Sequence, residues 1–287
     1  MTAILLEGAV IAQHVYAQLK ERIRRLRADG VQPGLAAILV GENSASRIYL
    51  KNKAQACNDI GVHSEVLRFP ADCSEDTVFT TLEELNANPR IHGILVQLPL
   101  PKHLNSDRIL QAIAPAKDVD GFNWVNLGAM VAGHTLLAPC TPLGVMTMLD
   151  YAKVPIEGRS AVVIGRSAIV GKPLALMLIA RGATVTVCSS KTPDLKQYTS
   201  MAEILAVAVG RPGLVDGTMI KPGAVVIDVG INRLPGGKLV GDVDFESASR
   251  VASCITPVPG GVGRMTVAML LENTVTAAER SVAASSK

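Results

Sequence analysis

Cysteine is sparse in this chain of 287 residues: Cys57, Cys73, Cys140, Cys188 and Cys254 are scattered, odd in number and include no C-x-x-C pair. That spacing builds neither a disulfide framework nor a structural zinc site, and it leads us to expect reduced thiols in the cytoplasm. Aromatic residues are scarcer still, with four Phe, four Tyr and one Trp. A surface on which single-stranded bases stack needs more rings than that. The formal net charge is only +3, which leaves no footprint for a phosphate backbone. No apolar run approaches the ~20 residues needed to cross a bilayer. Residues 1–8 carry no basic region of the kind that opens a signal peptide. No cluster of His, Cys, Asp and Glu has metal-ligand spacing, so no metal is expected.

What is present suits a folded α/β chain. Apolar residues make up 48% and charged residues 18%, enough to bury a core, and the length allows about two domains. Ile11, Val15, Leu19, Ile23 and Leu26 recur at three and four and predict an amphipathic helix. Strands are predicted over 35–40, 62–69 and 93–98, with helices over about 45–60 and 74–87 between them. The pattern restarts near Thr141-Pro142, with a helix over 143–151. Strands are then expected at 160–164, 183–188, 204–209 and 224–228. Pro235-Gly236-Gly237 reads as a hairpin turn, and a last helix is expected from about Met265 to Arg280. Alternating strands and helices imply right-handed β-α-β units around largely parallel sheets.

Gly165-Arg166-Ser167-Ala-Ile-Val-Gly171 follows a strand and leads into a helix, the setting of a dinucleotide fingerprint. Ser167 replaces the second glycine of that motif, and the third comes one residue late. A helix N-terminus there would offer N–H groups to a pyrophosphate. The next strand ends in Cys188-Ser189-Ser190-Lys191-Thr192, with no carboxylate before Asp194 to hold a ribose 2′-hydroxyl. Arg166, Ser190 and Lys191 could instead hold a 2′-phosphate, so NADP is favoured over NAD.

In the first half, Ser46, Tyr49 and Lys53 stand at i, i+3 and i+7 of one helix and so share a face. Tyr49 offers a ring for stacking, and Lys53 a group that can carry protons. A solvated Tyr–Lys pair is the plainer alternative. Gln97 ends a buried strand, where ligands of open parallel sheets bind. Asp118 and Asp120 lie in a loop and could cap turns; Asp120 could also accept paired donors from a heterocycle. Pro257-Val-Pro259-Gly260-Gly261-Val262-Gly263 is a loop able to bring backbone amides close to a ligand, or a plain connector.

Together these segments resemble the bifunctional methylenetetrahydrofolate dehydrogenase/cyclohydrolase family. The matching blocks are Ser46…Tyr49…Lys53, Val96-Gln97-Leu98-Pro-Leu-Pro101, Lys117-Asp-Val-Asp120-Gly-Phe122, Pro139-Cys-Thr-Pro142 and Gly165–Pro173. They continue with Ile227-Asp-Val-Gly-Ile231-Asn232, Gly241-Asp-Val-Asp244 and Pro257–Gly263, in order along nearly the whole chain. The resemblance implies two α/β domains flanking a cleft, the second a Rossmann-like doubly wound domain. Residues 1–140 plus 270–287 would form the catalytic, folate-binding domain and 141–269 the NADP-binding domain.

The same resemblance implies NADP-dependent oxidation of 5,10-methylenetetrahydrofolate, hydrolysis of the methenyl product to 10-formyltetrahydrofolate, and a homodimer. Lys53 would be the general acid/base, Gln97 its tuning partner, Tyr49 the stacking ring and Asp120 the pterin anchor. Gly165, Arg166, Ser167 and Ile231 would contact the cofactor. Val96, Gln97, Leu98, Pro259, Gly260, Gly261, Val262 and Gly263 would line the folate cleft. Three departures from the family pattern bear on that cleft: Arg264 where Pro is usual, Asn123-Trp124 for His-Pro, and Ala129-Met130 for Arg-Leu.

Two other readings fit parts of this pattern. The Ser…Tyr-x-x-x-Lys spacing also occurs in short-chain dehydrogenases, but there the glycine-rich turn precedes the Tyr–Lys pair. A non-catalytic NADP sensor would not need Lys53, Gln97 and Asp120, and all three are present.

Overall fold

The structure, a computed structural model, describes residues 3–285, apart from the side chains of residues 44, 45, 48, 49 and 285. It opens with β1 (Ile4–Leu5), α1 (Gly8–Ala28), β2 (Gly34–Val40), α2 (Ser44–Ile60), β3 (His63–Phe69), α3 (Glu75–Ala87), β4 (Gly93–Val96), α4 (Ser106–Gln111) and α5 (Trp124–Val131). There follow α6 (Cys140–Tyr151), β5 (Ser160–Ile164), α7 (Gly171–Ala180), β6 (Thr184–Cys188), α8 (Leu195–Thr199), β7 (Ile204–Val207) and β8 (Val225–Asp228). The chain ends with β9 (Asn232–Arg233), β10 (Leu239–Val240), α9 (Phe245–Ala248), β11 (Cys254–Ile255) and α10 (Val262–Ser285). No helix among the described residues is long and apolar enough to cross a membrane.

The chain divides into two compact units, residues 15–140 with 267–285 and residues 3–14 with 141–266. The first holds a three-stranded sheet, order β3-β2-β4, in which both pairings are parallel. Every residue of β2 is buried, as expected of a central strand covered on both faces. Val78, Leu82 and Leu85 line one side of α3 and pack with Ala36, Ile38, Ile94 and Val96. Burial of each large aliphatic side chain contributes about 1.5–3 kcal/mol. The strand expected over 93–98 stops at Val96, where Leu98-Pro99 begins a stretch in which proline cannot extend a ladder.

The second unit holds a six-stranded sheet, order β1-β11-β8-β7-β5-β6, all parallel. From β5 the chain moves outward to β6, then returns to place β7 on the other side. The switch point of this doubly wound sheet therefore lies between β5 and β7. Loops at the carboxyl ends of β5 and β7 flank a crevice there, the usual ligand position in such sheets. The expected hairpin forms: β9 and β10 pair antiparallel around Pro235-Gly236-Gly237. Residues 3–14 join this unit, whereas the sequence counts them with the first domain. The cause is the parallel pairing of β1 with β11, two strands of two residues each, too short to show a period.

Candidate functional site

In the three-stranded unit, α2 carries Lys53 toward the carboxyl end of β4. The helix starts where the Asn43 side chain accepts the Ser46 N–H at 3.0 Å, and stops at Gly61, whose φ of 89° suits glycine. Its buried side includes Ser46, Leu50 and Cys57. Lys53 is half-buried, and its Nζ donates to Gln97 Oε1 at 3.2 Å. Gln97 has both its backbone and its amide fixed. Its N–H donates to Ile38 O at 2.9 Å, and its Nε2 donates to Leu98 O at 2.8 Å. The amide is thereby oriented with its oxygen toward the lysine. Leu98 is half-buried beside it, whereas the Val96 side chain is 1% exposed and belongs to the core. Val96 can therefore line a site only through its backbone. Tyr49 stands one turn before Lys53 on α2, and its side chain lies outside the described residues.

Asp120 joins this group through a loop held by several hydrogen bonds. Asp118, buried, accepts N–H bonds from Gly121 at 3.1 Å and Asn123 at 2.7 Å, and the Asn126 side-chain amide at 2.9 Å. Asn273, from α10, donates to both Val119 O and Ala138 O at 2.8 Å, which ties the loop to the segment before α6. The two segments touch so closely that a Cβ on Gly121 would fall 2.4 Å from the Ala138 carbonyl carbon. The half-buried Asp120 carboxyl is pushed up to about 6 by burial, against the pull of the nearby Lys53 ammonium and with a further rise from Asp118. Burial also raises the Asp118 carboxyl and drives the Cys140 thiol well above its usual range. Cys140 Sγ donates to Val119 O at 3.1 Å.

The departures at 123–124 and 129–130 find structural roles. Asn123 Oδ1 caps α5 by accepting the Val125 N–H at 2.9 Å, and its Nδ2 donates to Ile113 O at 3.0 Å. Trp124 keeps an exposed ring while its backbone N–H donates to Gln111 Oε1 at 2.8 Å. Met130 is buried and Ala129 half-buried.

The second group stands at the switch point of the six-stranded sheet. Gly165 has φ of 117°, and a Cβ there would meet Ala208 O at 2.2 Å, so only glycine fits the turn that leaves β5 beside β7. A Cβ on Gly171 would meet Gly165 O at 2.1 Å, which lets α7 close against that turn. The helix begins at Gly171, not directly after Gly165. Its first donors are also occupied. Ser167 Oγ accepts the Val170 and Gly171 N–H groups at 3.1 and 3.3 Å, Ser167 O accepts that of Lys172 at 3.1 Å, and Pro173 has none. The expectation that the helix N-terminus itself meets a pyrophosphate is therefore corrected: Ser167 occupies the N–H groups where α7 begins, and the exposed turn 166–169 is what faces outward.

Arg166, Ser190 and Lys191 are all exposed, at the carboxyl ends of the adjacent strands β5 and β6. Ser189 and Thr192 shape the latter turn, since Thr192 Oγ1 accepts the Ser189 N–H at 3.0 Å and Ser189 Oγ that of Lys191 at 3.2 Å. Ile231, 52% exposed, follows β8, and a Cβ on Gly263 would stand 3.0 Å from its Cδ1. The loop after β11 thus reaches the same end of the sheet. Its Gly261 and Val262 are buried, and Gly8 passes so close that its Cβ would lie 2.0 Å from Gly261 O. Among the described residues no group of His, Cys, Asp and Glu could hold a metal ion.

A doubly wound parallel sheet with a glycine-only turn at its switch point and exposed cations after β5 and β6 defines a dinucleotide-binding α/β protein. The chain belongs to the tetrahydrofolate dehydrogenase/cyclohydrolase family: the profile of that family's catalytic domain matches residues 6–120, and that of its NAD(P)-binding domain residues 139–282. The bifunctional protein FolD of Nitrosospira multiformis is 56% identical over 281 residues, covering 98% of both chains. That of Dechloromonas aromatica is 56% identical over 280 residues, with 98% of this chain and 99% of the relative covered. Among solved structures, the bifunctional FolD methylenetetrahydrofolate dehydrogenase/cyclohydrolase of Campylobacter jejuni superimposes with a TM-score of 0.95 at 48% identity, covering 97% of this chain and 99% of that one. The Trypanosoma brucei enzyme, complexed with NADP and an inhibitor, gives a TM-score of 0.92 at 39% identity, over 98% of this chain and 99% of that one.

Proposed function

We propose that the protein oxidises 5,10-methylenetetrahydrofolate with NADP and hydrolyses the methenyl product to 10-formyltetrahydrofolate. The observation that carries this reading is the Lys53 Nζ to Gln97 Oε1 bond at 3.2 Å, with Asp120 within electrostatic reach, in the unit matched by the catalytic-domain profile.

Gly165 and Gly171 form a cradle that any Cβ would fill, and Arg166, Ser190 and Lys191 supply donors and positive charge suited to a 2′-phosphate. NADP fits these residues; when bound, it supplies the hydride acceptor. The methylene carbon loses a hydride and becomes a methenyl iminium carbon, which is electrophilic enough for water to add. In its neutral form Lys53 takes a proton as water adds and returns it to N5 as the carbon–N5 bond opens, while the hydroxyl proton leaves to solvent and the formyl group stays on N10. Gln97 holds Lys53 in place. Asp120 anchors the pterin edge by accepting its N–H donors, Tyr49 stacks on the folate, and Leu98 shapes its surroundings.

The reading extends to a homodimer in the cytoplasm. The first rests on the family likeness, and the second on five unpaired cysteines, which suit a reducing compartment. A spectrophotometric assay tests the chemistry: methylenetetrahydrofolate and NADP should yield methenyl absorbance that then decays by enzyme-dependent hydrolysis. Absence of NADP-dependent methenyl formation would sink the proposal. Light scattering should give about twice the 30.1 kDa chain mass, and a monomer value would remove the dimer.

A further inference from the structure

Two buried carboxylates of the six-stranded unit have no part in the chemistry above. Asp242 is 0% exposed and accepts four hydrogen bonds: the N–H groups of Val209, Gly210 and Arg211 at 2.7, 2.9 and 2.8 Å, and Asn232 Nδ2 at 2.8 Å. Asp228, the last residue of β8, accepts the N–H groups of Gly230, Asp242 and Val243 at 3.0, 3.0 and 2.9 Å. The pair is interlocked by glycine. A Cβ on Gly230 would lie 2.2 Å from the Asp242 carboxyl carbon, and one on Gly241 would lie 1.8 Å from Asp228 Oδ2. Asp228 therefore seats the backbone of Asp242, and Asp242 seats the loop that leaves β7.

A buried carboxylate costs several kcal/mol in desolvation unless donors replace its water, so four donors around one acid need a reason. Their location supplies one. Residues 209–211 leave β7 at the switch point, where Ala208 O meets the Gly165 turn. Asn232 follows Ile231 directly, and Gly230 precedes it. Both neighbours of Ile231 are thus held by the acids, while Ile231 itself stays exposed. Only a carboxylate, an acceptor with no proton to offer, can take four N–H donors at once.

We propose that Asp242 is a positioning residue for the dinucleotide, an acceptor latch that sets the β7 loop and Ile231 against the glycine turn. The inference rests on the NADP reading given above. Asp242→Asn keeps the size but turns an NH2 donor toward two of these four donors, whichever way the amide sits. We expect the Kd for NADP, measured by calorimetry, and the KM for NADP each to rise about tenfold. Amide exchange at residues 209–211 should accelerate in the same variant. Hydrolysis of methenyltetrahydrofolate needs no cofactor, so its kcat and KM should stay within about twofold of wild type. An unchanged NADP Kd, or an equal loss in hydrolysis and in NADP affinity, overturns the proposal. Should Asp242→Asn fail to fold, Asn232→Leu removes one of the four donors and should raise the NADP Kd about threefold; an unchanged Kd there also overturns it. Wild-type protein that binds NADP without turnover would defeat the proposed function and leave the latch to be judged by calorimetry and exchange.

Discussion

Lys53 donates to the side-chain oxygen of Gln97, and the other end of that same amide is committed to the Leu98 carbonyl. A glutamine is usually free to swap its oxygen and nitrogen; here the second bond fixes which atom the lysine meets. Lys53→Met removes the proton carrier while keeping the length of the side chain. Cyclohydrolase turnover should fall by about 10²–10⁴, the usual worth of general acid–base catalysis, with dehydrogenation sharply reduced. NADP affinity and the unfolding temperature should persist, and wild-type hydrolysis in this variant would remove Lys53 from its role.

Asp120 should impose a pH dependence of opposite sign on activity and stability. Burial lifts its carboxyl from the ordinary 3.8 to about 6, so the native state holds the proton more tightly than the unfolded chain. Stability from this group is fully present below pH 3.8 and is lost as pH rises through about 6. Asp120→Asn should raise Tm at pH 8 by about 2–4 °C, the shift that roughly 1 kcal/mol gives a chain of this size. That gain should shrink to nothing near pH 4. Folate KM in the wild type should instead rise below about pH 6, where the anchoring carboxylate is lost; a flat profile would argue against the anchor.

Arg166 stands exposed in the turn after β5, beside a β6 end that has no acid. Arg166→Ala should raise KM for NADP roughly tenfold, equivalent to about 1.4 kcal/mol, and that for NAD under twofold. Equal losses with both cofactors would place the guanidinium on the shared pyrophosphate instead.

Arg264 lies within α10 and not before it. A helix beginning near Met265 would welcome Pro just before it, with a gain of ~0.4–1 kcal/mol through the unfolded chain. Since α10 begins at Val262, Arg264 lies inside its first turn, and its N–H donates to Gly261 O at 3.1 Å. Proline would forfeit that bond, worth about 1 kcal/mol, so Arg264→Pro should leave Tm nearly unchanged. If the exposed guanidinium meets the anionic tail of folate, the same variant raises folate KM while NADP KM stays constant. Steady-state kinetics with both substrates decides between that contact and a solvated arginine.

The order of strands and helices was legible because hydrophobic period is a local property. The runs over 35–40 and 160–164 and the stripe from Ile11 to Leu26 each declare their element without help from elsewhere. Lys53, Gln97 and the glycine turn can be proposed from residue type and position, the first on a helix face and the others at strand ends. Tertiary structure decided the rest. Residues 4 and 5 pair with 254 and 255 across the whole length of the chain, and Asn273 reaches the loop of Asp120 from the last helix. The sequence shows Asp228 and Asp242 only as members of two Gly-Asp-containing blocks on either side of a hairpin. Their burial, and the seven donors turned toward them, exist only once three loops converge. Local period fixes which way a side chain faces along its own element, but a buried charge is satisfied by donors from wherever the chain returns, and that return is a property of the folded whole.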